Sequence, residues 1–158
     1  MSETRRIRGM LRSVSRGPAW HGPSISDNLE GITAAQAASH PIPGVHSIWE
    51  IVQHVSAWER EVAQVLGGKP HVNMHGEDDW PSVNDTSEEA WEKAVGDLRA
   101  GHMTLAEAIG QFNEDDLGNI VPGRDFPWSA VLHGVIHHSV YHSGQIAILR
   151  RVSSDLRM

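Results

Sequence analysis

Apolar positions along this chain recur at intervals of three and four residues, and no segment reads clearly as a strand. Residues 4–15 place Ile7, Met10, Leu11 and Val14 at helical spacing. Two Gly-Pro pairs in RGPAWHGPS, residues 16–24, then interrupt the pattern. Ser24 is suited to cap a short helix over 25–33, with Ile25, Leu29 and Ile32 inward. A second short turn over AAQAAS follows, and the prolines of HPIPG forbid its continuation.

The segment 46–66 predicts the first long helix. Ser47 as N-cap and Glu50 three residues on form a capping-box pattern. Ile48, Ile51, Val52, Val55, Trp58, Val62 and Leu66 make one apolar stripe, and Gly67-Gly68 ends it. Residues 69–86 read as a polar loop. Ser87 starts a helix over 88–112 with acids in its first turn, where the helix dipole favours them. Residues 113–125 connect, with room for one helical turn. Residues 126–152 predict a last long helix with Pro127 in its first turn. Three or four long helices joined by loops, with no clear strand, predict an all-α fold, an antiparallel helical bundle.

A length of 158 residues suits one domain, taken as 1–158. The net charge of −7 argues against nucleic-acid and anionic-membrane partners, which favour basic surfaces. The absence of cysteine excludes disulfides, thiolate metal sites and a cysteine nucleophile, and it suits a reducing cytoplasm. The first 17 residues lack the apolar stretch of a secretory signal, and no apolar run reaches the length of a membrane span.

Candidate chemistry gathers in HGVIHHSVYHSGQIAILRR, residues 133–151, on the last helix. His138 and His142 are four apart, so they share a face about one turn apart and can chelate one ion. His133 and His137 form a second such pair on a neighbouring face. Their expected roles are metal support, pocket lining or plain surface. On the 46–66 helix, His54 lies between Ile51 and Trp58 on the core-facing side. Inward groups from facing helices converge in bundles, so His54, His138 and His142 make a three-nitrogen candidate set. Three neutral ligands leave a divalent ion with open positions. Taken alone, a buried histidine such as His54 is more often a hydrogen-bonded core residue.

His21, His40, His46, His71, His75 and His102 read as solvated, with a site mouth as the alternative place for His21 and His46, which no spacing supports. The six tryptophans read as packing groups, with Trp49 and Trp80 as alternative pocket lining. Gln145 is placed to support His142. Gly144 suggests close helix approach, and Arg150-Arg151 a complement to the helix dipole. Glu50 is the one candidate base near His54, with capping as its simpler role.

AWHGPS at 19–24, PIPGVHSIWEIVQHVSAWE at 41–59 and the 133–151 segment resemble the DinB/YfiT-like family. The resemblance runs over nearly the whole chain, in the family's order. It implies a four-helix bundle of up-down-down-up type, often a homodimer, with a divalent metal on three histidines matching His54, His138 and His142. Relatives include thiol S-transferases that use bacillithiol or mycothiol and a mycothiol-dependent maleylpyruvate isomerase. The expectation is therefore a divalent-metal protein, with zinc or nickel foremost, acting on a small-molecule substrate. Either a low-molecular-weight thiol is its cosubstrate or it is a hydrolase using a bound water of lowered pKa. Thiol transfer is preferred, because no glutamate base stands in register beside the ligands. The alternative is a dimeric metal- or ligand-sensing module without chemistry.

Overall fold

The computed structural model describes residues 2–155, which form six α-helices and no strand. Residues 1 and 156–158, which the single-domain reading also spans, lie outside the described residues. The helices are α1 (Glu3–Arg16), α2 (Ile25–Leu29), α3 (Ala34–Ala38), α4 (Ile48–Leu66), α5 (Glu88–Gln111) and α6 (Trp128–Asp155). Short 3-10 turns stand at Gly76–Asp78 and Glu114–Asp116, the second of them inside the connection that had room for one helical turn.

Side-chain caps set most of the starts. Ser2, Ser24, Thr33, Ser47 and Ser87 each accept a hydrogen bond from a backbone N–H in the first turn of the helix that follows. Full capping boxes form at Ser24–Asp27, Thr33–Gln36 and Ser47–Glu50. Helix α4 ends at Gly67, and Gly68 then turns the chain at φ 93°, a conformation open to glycine. Pro127 precedes α6 rather than entering it. It bridges to Ile120, and Trp128 N–H donates to the Asn119 carbonyl, which fixes where α6 begins.

The four long helices surround one core. Helix α4 packs on α5 and α6, and α1 packs on the same two. The short α2 lies against α1 and α6, and α3 against α4 and α5. Inward residues follow the expected stripes: Ile7, Leu11 and Val14; Ile51, Val52 and Val55; Leu98, Leu105 and Ile109; Leu132, Val135, Ile136, Ile146 and Leu149. Met10 departs from its stripe and stays partly in solvent, and Trp20 is fully exposed rather than packed.

Two further expectations are corrected by packing. Gly144 is exposed, and a Cβ built on it would meet nothing within 4 Å, so it does not serve close helix approach. Arg150 does not face the end of its own helix, because α6 continues to Asp155. Its guanidinium donates to the backbone carbonyls of Asp27 and Asn28 at the end of α2. No helix among the described residues is long and apolar enough to cross a membrane.

Candidate metal centre

Helices α4 and α6 bring His54, His138 and His142 together. His54 and His142 are buried, and His138 is half-buried. The Nε2 atoms of His54 and His138 lie 2.9 Å apart, and those of His142 and His138 3.1 Å apart. A tetrahedral zinc ion at about 2.0–2.1 Å from each nitrogen would set neighbouring donors about 3.3 Å apart, close to the spacing present.

Their outer nitrogens decide which way the lone pairs point. His54 Nδ1 donates to the Asp79 carbonyl at 2.7 Å, with the Asp79 carboxylate 3.1 Å away. His142 Nδ1 donates to Gln145 Oε1 at 2.6 Å, and the Gln145 amide nitrogen donates to the Tyr141 hydroxyl at 3.1 Å. In a neutral ring with Nδ1 protonated, Nε2 is an acceptor. Two acceptors thus face His138 Nε2, which has at most one proton to give. His138 Nδ1 is itself buried without a partner. One lone pair stays unanswered unless an electrophile takes the centre, which is the demand a divalent cation meets.

The surroundings keep the rings neutral. Burial, then the neighbouring His142 and His54, lowers His138 to about 4. Burial also lowers His142 to about 4, against an opposing hydrogen bond from Gln145. Burial lowers His54, and the contacts with Asp79 oppose it in part. Neutral imidazole is the ligand form, so the site is prepared for metal over a wide pH range.

Aromatic rings wall the site. Trp80 lies between His46 and His54, stacked on both at centroid distances of 3.6 and 3.9 Å. Trp58 Nε1 donates to Asp79 Oδ1 at 2.7 Å and tethers the loop that carries Asp79 and Trp80. Beside the triad opens a cavity of about 720 Å³ with a largely apolar lining that includes Trp58, Val62, Phe126, Val131 and Tyr141. Asp79 is the one carboxylate in that lining, and Oδ1 is already engaged by Trp58.

The other expected residues fall out as follows. Gln145 supports His142. Trp80 lines the cavity, whereas Trp49 is buried in the core against Trp91. Glu50 completes its capping box and contacts His40 at 2.9 Å, outside the site. His137 is exposed, and His133 approaches Glu3 at 3.3 Å, so neither reaches the triad's cavity. His46 packs on Trp80, and His71 joins the cavity wall. His102, expected in solvent, is 5% exposed and stands 2.6 Å from Glu59, which is fully buried. Sequence reasoning missed Asp79, which sits in a polar loop with no periodicity to place it. The only signal was its neighbour Trp80, a large apolar ring in a hydrophilic stretch.

A sequence model described as the DinB superfamily matches residues 24–146, a span that holds all three histidines. Among solved structures, the chain is similar to a conserved protein from Enterococcus faecalis. That likeness covers 98% of this chain and 99% of the other at a TM-score of 0.71 and 18% identity, and it shows a shared fold. No curated protein matches.

Proposed function

The chain belongs to the DinB superfamily, and from that premise we propose that it is a metal-dependent enzyme whose ion is held by His54, His138 and His142. The observation that carries this reading is the convergence of three Nε2 atoms, two of them turned into acceptors by Asp79 and Gln145. When bound, a divalent ion supplies Lewis-acid chemistry, stabilising a thiolate or acidifying a water.

The protein's own residues supply the rest. Asp79 and Gln145 orient two of the imidazoles. Trp80 and Trp58 hold the Asp79 loop against them. The apolar cavity receives a small, mainly apolar substrate and keeps water low around it. Thiol transfer to an electrophile is favoured over hydrolysis. Asp79 is already engaged by His54 and Trp58, and Glu50 is committed to a helix cap. The net charge of −7 also favours a small-molecule substrate over a nucleic acid.

The same reading takes the long helices as an up-down-down-up bundle. The start of α1 meets the early part of α6 at Glu3–His133, which supports a parallel α1 and α6.

Elemental analysis of protein made without a histidine tag should find about one divalent ion per chain. His54→Ala and His138→Ala should lose it. A panel of low-molecular-weight thiols with a chromogenic electrophile should then show turnover that chelation abolishes. Metal retained by both variants would overturn the site. Metal bound without thiol-dependent turnover would overturn the transferase reading.

A further inference from the structure

A second cavity, of about 670 Å³, lies between α1 and α5, lined by residues apart from the triad. Arg5, Arg8, Arg12 and Arg16 border it from one side of α1, spread over about 16 Å of helix. None of the four guanidiniums makes a hydrogen bond or ion pair to the protein among the described residues, whereas that of neighbouring Arg6 pairs with Glu3 at 3.0 Å. Residues 5–16 thus hold five of the thirteen lysines and arginines of a chain whose net charge is −7. Such a concentration of like charge raises self-repulsion within one helix and favours an anion beside it.

The wall opposite is built from α5. His102 forms part of it, buried to 5% exposure. One ring nitrogen, Nδ1, faces Glu59. The other, Nε2, is buried and has no hydrogen-bond partner. A buried polar atom without a partner is costly, and a cavity wall is a place where a ligand can supply one. Arg8 lies across α5 at Gly110, where an added Cβ would stand 2.8 Å from its Nη1. That glycine sits within α5, where helix propensity alone disfavours it, and its bare backbone leaves room for the guanidinium. Leu11, Met103 and Ala106 give the cavity an apolar floor.

We propose that the groove between α1 and α5 binds a small phosphorylated molecule. The guanidiniums of Arg5, Arg8, Arg12 and Arg16 take the phosphates, and His102 Nε2 meets a polar group inside. Guanidinium forks match phosphate oxygens in geometry as well as charge. The cavity size fits a small ligand. A membrane surface or a nucleic-acid backbone would meet the exposed arginines but would not enter to reach His102. The overall negative charge also opposes long polyanions.

Inorganic pyrophosphate serves as the probe, titrated by calorimetry into the intact protein at low salt. Saturable binding at one site per chain is expected. The surface double variant Arg8→Gln/Arg12→Gln should weaken it roughly ten-fold or more, given the strength of charge-assisted hydrogen bonds. The charge-matched control Arg60→Gln/Lys69→Gln, outside the groove, should change it little. His102→Gln should also weaken it while the circular-dichroism spectrum is kept. Three results would each overturn the proposal: no saturable binding, equal weakening by the control pair, or tighter arginine-dependent binding of a short single-stranded RNA or of phosphatidylserine vesicles. The metal content of every variant should stay at the parent level, so the outcome is independent of the triad.

Discussion

The Asp79 carbonyl oxygen lies 2.7 Å from His54 Nδ1, and the carboxylate of the same residue lies 3.1 Å from that nitrogen. One residue thus fixes the tautomer of His54 and strengthens it as a donor to a metal. Asp79→Ala keeps the carbonyl and removes the carboxylate, which also serves Trp58. Metal affinity should fall about ten-fold, the lower end of the usual effect of such supporting groups. Competition with a chromogenic chelator measures it, and an unchanged affinity would remove Asp79 from the metal centre.

The triad also predicts a pH dependence for protein stripped of metal. Burial, reinforced at His138 by its neighbours, holds His138 and His142 at about 4 in the folded protein. In the unfolded chain they titrate near 6.5. Between those values the unfolded chain binds more protons, so stability rises with pH through this window and is lost as acid is added. The Tm of the metal-free protein should be level above about pH 7 and fall from about pH 6.5 towards 4. His138→Asn/His142→Asn should flatten that fall. A slope unchanged by the double variant would assign the acid sensitivity to other groups.

Glu59 and His102 form a further buried polar pair. Glu59 is fully buried, its Oε2 stands 2.6 Å from His102 Nδ1, and Ser139 Oγ donates to its Oε1 at 3.2 Å. Glu59→Ala leaves the buried His102 ring short of a partner, reduces Ser139 Oγ to its bond with the Val135 carbonyl, and opens a void. The expected loss is about 3 kcal/mol or more in urea unfolding. Glu59→Gln keeps the shape and an acceptor for Ser139, and it should cost clearly less. Equal losses for the two would mean that packing volume, not the polar contacts, sets the effect.

Gly144 stands on the exposed side of α6 with open space around it. Nothing in the fold needs the missing Cβ, so its cost is the backbone entropy of a mid-helix glycine. Gly144→Ala should stabilise the protein by about 1 kcal/mol, read as a rise in Tm. A fall in stability would show that something outside this chain packs on that face.

The helices and the triad were legible in the sequence because both are local or periodic facts. An i,i+4 pair fixes His138 and His142 on one face, and the stripe through Ile51, Val55 and Trp58 fixes the face of His54. What failed were features decided by contacts between distant segments. His102 reads as polar until Glu59, on another helix, is placed beside it. Asp79 has no periodicity, since a 3-10 turn and the Trp58 hydrogen bond position its loop. Arg150 reads as a dipole complement until the end of α2 is seen beneath it. Long-range pairing leaves no trace in spacing, so polar groups that serve it look like surface.

Gly134 allows the cavity to be tested apart from the metal. It lies on α6 in the cavity lining, and a Cβ built there meets nothing within 4 Å. Gly134→Leu therefore starts from an unobstructed Cβ, improves helix propensity by up to about 1 kcal/mol, and should project its side chain into the space assigned to substrate. Metal content and Tm should hold or rise. Metal-dependent turnover of thiol and electrophile should fall, with KM rising where the larger substrate is displaced and kcat falling where it is misplaced. Gly134→Ala, which adds one methyl group, should raise Tm with little effect on turnover. If Gly134→Leu turned over as the parent does with its metal in place, the substrate would have to bind somewhere other than this cavity.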